Sequence, residues 1–139
     1  MLRLERAKNN PVLVPDASNW WESRAVFNCA VLYDGKTIHM LYRAIGEYED
    51  YVSRIGYASS EDGLSFVRRK EVALCPEEDY ERFGIEDPRL GSIQDQIYVT
   101  YVVLSNYVKT HPTASTALDR KSTRLNSSHE RLSRMPSSA

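Results

Sequence analysis

Two stretches of this chain copy one another at a fixed spacing of 59 residues. At that offset Trp21 falls on Tyr80, Glu22 on Glu81, Val26 on Ile85, Asn28 on Asp87 and Val31 on Leu90. The same gapless shift sets Ile38 on Ile97, His39 on Tyr98, Met40 on Val99 and Tyr42 on Tyr101. Few pairs are identities, yet one offset serves a whole hairpin and its lead-in. A unit of this size cannot bury its own apolar face and must stack on a neighbour, so the repeat points to a repeating architecture.

Inside the repeat the local signals are β. "AVFNCAVLY" (Ala25 to Tyr33) and "TIHMLYRA" (Thr37 to Ala44) are rich in β-branched and aromatic residues. Asp34-Gly35-Lys36 lies between them, and Asp-Gly supplies the positive φ that tight turns need. "RIGYAS" (Arg54 to Ser59) and "LSFV" (Leu64 to Val67) flank Glu61-Asp62-Gly63 as a second hairpin. "RLGSI" (Arg89 to Ile93) and "QIYVTYVVL" (Gln96 to Leu104) flank Gln94-Asp95 as a third, and "HPTASTAL" (His111 to Leu118) would be the next strand. No stretch keeps apolar residues at helical spacing for three turns. The fold class is all-β. Four strands per repeat predict one blade of a β-propeller, and closure takes about four to eight blades. The chain then holds the first blade and part of a second.

The 139 residues carry a formal net charge of −1, which gives no electrostatic reason to expect nucleic acid or an anionic membrane as partner. No apolar run approaches the length of a membrane span, and the start, MLRLERAKNN, lacks the apolar core of a secretory signal. Cys29 and Cys75 read as free thiols rather than a disulfide framework. A cytoplasmic protein is expected. No metal-ligand spacing, phosphate loop or nucleophile motif is present, and no metal cofactor is expected.

The composition breaks late in the chain. All fourteen aromatic residues lie before Val108. From Asp119 the chain reads DRKSTRLNSSHERLSRMPSSA, with six serines, five basic residues and no aromatic. Such a segment reads as a disordered polar tail. It also resembles the translation of a short-read sequencing adapter, with Glu130 to Leu132 as the sample index. Residues 1–118 are therefore expected to be the N-terminal part of a propeller domain. Residues 119–139 are expected to be non-native, and the natural protein to continue past Leu118 in another form.

"FGIEDPRLGSI" (Phe83 to Ile93) holds the candidate chemistry. The repeat sets Asp87 and Asn28 at equivalent places, near the start of successive first strands. In a propeller those strands line the central channel, so both residues would face one end of the funnel, where ligands bind. Arg43 closes the second strand near the same end. Structural alternatives stand beside each reading. Asp-Pro is a common turn initiator, and Arg89 could pair with Glu86. Asn28 could cap a turn, and Arg43 could be a surface snorkel. Trp20-Trp21 could stack sugars or be core and rim. His39 reads as structural, and Glu47 to Tyr51 as a solvated loop of the kind that often carries contacts.

"NPVLVP", "WWESRAVFN", "IHMLYRA", "SRIGYASSEDG" and "GIEDPRL", in this order, resemble glycoside hydrolase family 130, five-bladed propellers acting on β-mannosides. The resemblance spans Asn10 to about Leu104 and implies roles for particular residues. Asp87 would be the catalytic acid, donating its proton through a sugar hydroxyl, with enclosure keeping it protonated. Asn28 and Arg43 would contact sugar in the catalytic subsite, and Arg89 would belong to the same substrate-binding motif. The family's basic phosphate-binding residues would lie in later blades.

One carboxylate is chemically sufficient for phosphorolysis, because phosphate is already an anionic nucleophile and needs only an acid for the leaving group. Inverting hydrolysis needs a second carboxylate to activate water. The resemblance implies an inverting β-mannoside phosphorylase, with β-manno-oligosaccharide and inorganic phosphate as substrates and mannose 1-phosphate as product. The alternatives are an inverting β-mannosidase and a non-catalytic sugar-binding propeller. A homo-oligomeric parent is left open. The chain by itself, with an unpaired blade edge and no phosphate site, is expected to be inactive.

Overall fold

The computed structural model describes residues 3, 5–94, 96–106, 113–121 and 135–136. Eight strands follow in chain order: β1 (Ala25–Tyr33), β2 (Ile38–Ile45), β3 (Ser53–Ser60), β4 (Val67–Arg68), β5 (Ile85–Ile93), β6 (Gln96–Asn106), β7 (Thr113–Lys121) and β8 (Met135–Pro136). They form two four-stranded antiparallel meanders, β1-β2-β3-β4 and β5-β6-β7-β8. The described residues include one 3-10 turn, Asp79–Glu81, and no α-helix. The all-β expectation holds.

Side-chain chemistry sets the turns. Asp34 Oδ1 accepts the N–H groups of Lys36 (2.9 Å) and Thr37 (2.7 Å), and Gly35 supplies φ +96°. His39 bonds the other carboxylate oxygen of Asp34 at 2.9 Å. His39 first, and then these amides, hold the Asp34 carboxyl far below its usual range. In the next turn Asp62 Oδ1 accepts from the amides of Leu64 and Ser65 at 2.8 Å each. That turn claims Leu64, Ser65 and Phe66, so β4 begins only at Val67, three residues later than the sequence pattern suggests.

The repeat is copied down to the register. β1 and β2 pair Val26 with Ala44 and Phe27 with Arg43, then resume at Ala30 with Leu41. β5 and β6 pair Ile85 with Val103 and Glu86 with Val102, then resume at Arg89 with Thr100. Every one of these pairs is displaced by the same 59 residues, including the skip. A buried strut is copied too. Glu22 and Glu81 are both fully buried. The Tyr42 hydroxyl donates to Glu22 at 2.8 Å and the Tyr101 hydroxyl to Glu81 at 2.9 Å. Tyr42 crosses its partner Gly56 to reach Glu22, and a Cβ there would lie 2.3 Å from the ring. The copy loosens at the third strand. Tyr101 faces Ala117 where Tyr42 faces Gly56, an offset of 61 instead of 59.

Packing follows strand alternation. On β2, Leu41 faces the second sheet and joins Ile55, Leu74, Ile85, Val99, Tyr101, Val103 and Ala117 in one core. Met40, Tyr42 and Ala44 face the other way and join Trp21 and Ala58, with Val12, Leu13 and Phe66 against them. The central strand β2 is thus buried on both faces over most of its length.

Two further boundaries differ from the sequence reading. β5 begins at Ile85, so the EDPR segment lies within a strand and not before it. The apolar Ile85 paired with Val103 carries the ladder through the charged residues. β7 continues past Leu118, with Asp119, Arg120 and Lys121 opposite Val99, Tyr98 and Ile97, and Met135–Pro136 pair with β7. Main-chain ladder bonds tolerate polar side chains, so a free strand edge extends into such a sequence. The remainder of the expected tail, 122–134 and 137–139, lies outside the described residues.

Candidate functional site

The skip in each first strand is a β-bulge, in which Asn28-Cys29 or Asp87-Pro88 occupy the space of one partner residue. Asn28 has φ +47° and Asp87 φ +48°. Asn and Asp are the non-glycine residues that best tolerate this left-handed backbone. Pro88, with no N–H to offer, sits where the ladder needs no donor. The two bulges meet: Asn28 Nδ2 donates to Asp87 Oδ1 at 2.7 Å.

Arg43 gathers the remaining groups. It lies on β2 opposite Phe27, and its side chain is nearly buried. Nε donates to Ser53 Oγ at 2.9 Å, Nη1 to Asp87 Oδ1 at 3.4 Å, and Nη2 to Glu86 Oε1. Ser53 Oγ donates on to Glu86 Oε1 at 3.2 Å. The guanidinium lies over the Phe27 ring at 4.7 Å from its centroid and over the Tyr51 ring at 5.8 Å. A fork of fixed donors suits this duty, since a single ammonium could not bridge three acceptors in three directions.

The two neighbouring carboxylates are differently placed. Glu86 keeps 14% side-chain exposure and Asp87 33%, so Asp87 is the more accessible of the two. The described residues leave Asp87 partly open. Its immediate neighbours are an amide donor and a cation, arranged to orient the carboxylate.

Asn28, Arg43 and Asp87 are therefore brought together, as their positions in the repeat suggest. Arg43 is an internal clamp and no surface snorkel, because three acceptors meet it inside the sheet stack. Arg89 stands apart from the network. Its Nη1 donates to the carbonyls of the two preceding residues, Pro88 O at 2.8 Å and Asp87 O at 3.4 Å, and it is exposed. It does not pair with Glu86, which Arg43 already holds. Trp21 is core and Trp20 is 68% exposed, the core-and-rim alternative. His39 bridges Asp34 and Tyr57 and is structural.

Phe27, Ser53 and the pairing of Glu86 with Arg43 escaped the sequence reading, and Tyr51 entered it only as the end of a loop of the kind that often carries contacts. Phe27 and Glu86 had a usable signal: they are equivalent in the repeat, each immediately before its bulge. Ser53 had none, because it opens β3, outside the aligned hairpins. Among the described residues no group of three or more His, Cys, Asp or Glu could hold a metal ion.

Residues 3–125 match the glycoside hydrolase 130 family, described as beta-1,4-mannooligosaccharide phosphorylase. The chain belongs to that family. Among its curated relatives is a 1,2-beta-oligomannan phosphorylase of Thermoanaerobacter sp. (strain X514), 43% identical over 106 residues. A beta-1,2-mannobiose phosphorylase of the same strain is 41% identical over 112 residues. Each alignment takes in 73% of this chain but only 36% and 37% of the relative, so the chain spans little more than a third of their length. A solved structure from work on the family, in which mannoside phosphorylases stand beside glycoside hydrolases that target beta-1,2 mannosidic linkages in Candida mannan, superposes with a TM-score of 0.66. It is 31% identical, covering 83% of this chain and 37% of its own. The family 130 chain described here thus presents the bulge pair and its arginine clamp on a fold shared with mannoside-active enzymes.

Proposed function

We propose that this chain is part of a five-bladed propeller enzyme that phosphorolyses β-mannosides with inversion, releasing mannose 1-phosphate. The observation that carries the reading is the convergence of Asn28, Arg43 and Asp87 within a family 130 chain. Asp87 is the acid that assists departure of the leaving sugar, through a hydroxyl of the bound mannose. Asn28 and Arg43 fix its carboxylate, and Asn28 also contacts the sugar in the catalytic subsite. Arg89, exposed beside Asp87, belongs to the same subsite. Phosphate is both co-substrate and nucleophile, so no general base is required.

The linkage favoured is β-1,2, because both named relatives act on β-1,2-mannosides while the family description is β-1,4. The test uses the complete protein that carries this segment, incubated with β-1,2-mannobiose and phosphate, with mannose 1-phosphate measured. Asp87→Asn keeps the size and one acceptor oxygen for Asn28 and Arg43 but removes the acid, and should lower turnover at least a hundredfold with the fold intact. Mannose release that is indifferent to phosphate would assign hydrolysis instead, the activity found elsewhere in the family.

A further inference from the structure

The loop joining β2 to β3 holds two aromatic rings beside the Arg43 guanidinium. Glu47 accepts the N–H groups of Asp50 (2.9 Å) and Val52 (3.5 Å), which draws the loop back on itself. Tyr48 fixes its hydroxyl on Arg24 O at 3.2 Å and stacks on Tyr51, with centroids 6.2 Å apart and planes 24° off parallel. Tyr51 has φ +56°, a backbone that a bulky aromatic seldom adopts and a glycine adopts freely. Tyr48 remains 60% exposed and Tyr51 41%, so burial does not account for holding the rings there. The guanidinium under Tyr51 is the one that donates to Asp87. Aromatic surface, cation and reachable carboxylate are therefore contiguous.

We propose that Tyr51, backed by Tyr48, is a stacking platform that seats a pyranose ring of the saccharide next to Asp87. The inference rests on the reading of the protein as one that acts on manno-oligosaccharides. A pyranose presents a face of C–H bonds, which the electron-rich face of an aromatic ring attracts, while its hydroxyls turn to polar neighbours at the rim. The ring supplies the contact and the phenol hydroxyl does not.

The complete protein is compared with its Tyr51→Gly and Tyr51→Phe variants, using β-1,2-mannobiose as the probe. Steady-state phosphorolysis, calorimetric binding of the disaccharide and the thermal midpoint are measured. Tyr51→Gly should raise KM and Kd together about five- to tenfold, the loss of one aromatic contact, with kcat within twofold. Its thermal midpoint should not fall, because glycine relieves the left-handed backbone. Tyr51→Phe should restore KM and Kd. Unchanged KM and Kd in Tyr51→Gly would overturn the platform, as would a fall in kcat alone, the result expected if the ring only shields the Arg43–Asp87 contact. A protein that binds mannobiose without turning it over would sink the phosphorylase reading and leave the platform to be judged on Kd. A protein that binds none would overturn both.

Discussion

Tyr42→Phe removes one oxygen from the most repeated feature of the fold. The Tyr42 hydroxyl is 2.8 Å from a Glu22 carboxylate that has no solvent exposure and whose other donors are Asn19 Nδ2 at 2.6 Å and Arg68 Nη1 at 2.7 Å. A hydrogen bond to a charged group contributes about 1.5–3 kcal/mol. The two remaining donors keep Glu22 paired, so the loss should fall near 2 kcal/mol, read from urea unfolding of the complete protein at pH 7. Tyr101→Phe should lose a similar amount, since it removes the same bond 59 residues on. Because the two struts lie in separate sheets, the double variant should lose the sum to within about 0.5 kcal/mol.

A second readout reports whether the phenol stays neutral in the folded protein. Burial first, then the Glu22 carboxylate, push the Tyr42 phenol well above its usual value of 10.0. Its contribution is thus fully present below pH 10, where the unfolded phenol is neutral, and is lost as pH rises further toward the folded value. The stability gap between wild type and Tyr42→Phe should narrow by about 1 kcal/mol between pH 10 and 11. A gap under about 0.5 kcal/mol at pH 7 would refute the phenol–carboxylate bond, and one that stays constant through pH 11 would refute a phenol held neutral by its buried surroundings.

Arg43→Met takes the shared cation from two adjacent carboxylates and should destabilise the protein by about 2–3 kcal/mol while reducing turnover to the level of Asp87→Asn. Arg43→Lys should rescue neither, because an ammonium cannot span Ser53, Glu86 and Asp87 together; urea midpoints and mannose 1-phosphate release measure both. Gly46→Ala would set a Cβ 1.9 Å from the Trp20 carbonyl oxygen, a backbone clash that should lower stability by about 1–3 kcal/mol in the same urea assay.

The hairpins were legible because their signals are local. Asp34-Gly35 and Asp62-Gly63 carry the turn chemistry in the side chain that gathers the amides, and the first strand between them is rich in β-branched and aromatic residues. The gapless offset also predicted the equivalence of Glu22 with Glu81 and of Tyr42 with Tyr101, though not that they bond. What escaped were features created by contact between the two sheets. Arg43 at a strand end looks like a snorkel until Ser53, Glu86 and Asp87 come to meet it from two other strands. The EDPR segment looks like a turn because Asp-Pro usually is one. Inside β5 the same dipeptide serves a bulge, a non-local outcome that the partner strand β6 decides.

The bulge explains how a repeated structural element can become a site. Both first strands carry the same irregularity with nearly the same φ, so its geometry belongs to the repeat and not to the chemistry. Only the side chain differs, an amide in one copy and a carboxylate in the other. The amide has donors and the carboxylate only acceptors, so the two copies can bond to each other where two aspartates would repel. The residue before the bulge diverges in the same complementary way: Phe27 gives Arg43 an aromatic face and Glu86 gives it an anion. A chain with Asp at both bulges would set two carboxylates face to face beside Glu86, with Arg43 as their common cation. Divergence between copies at positions 28/87 and 27/86, on a backbone that stays the same, is what turns two adjacent hairpins into the holder of a single oriented carboxylate.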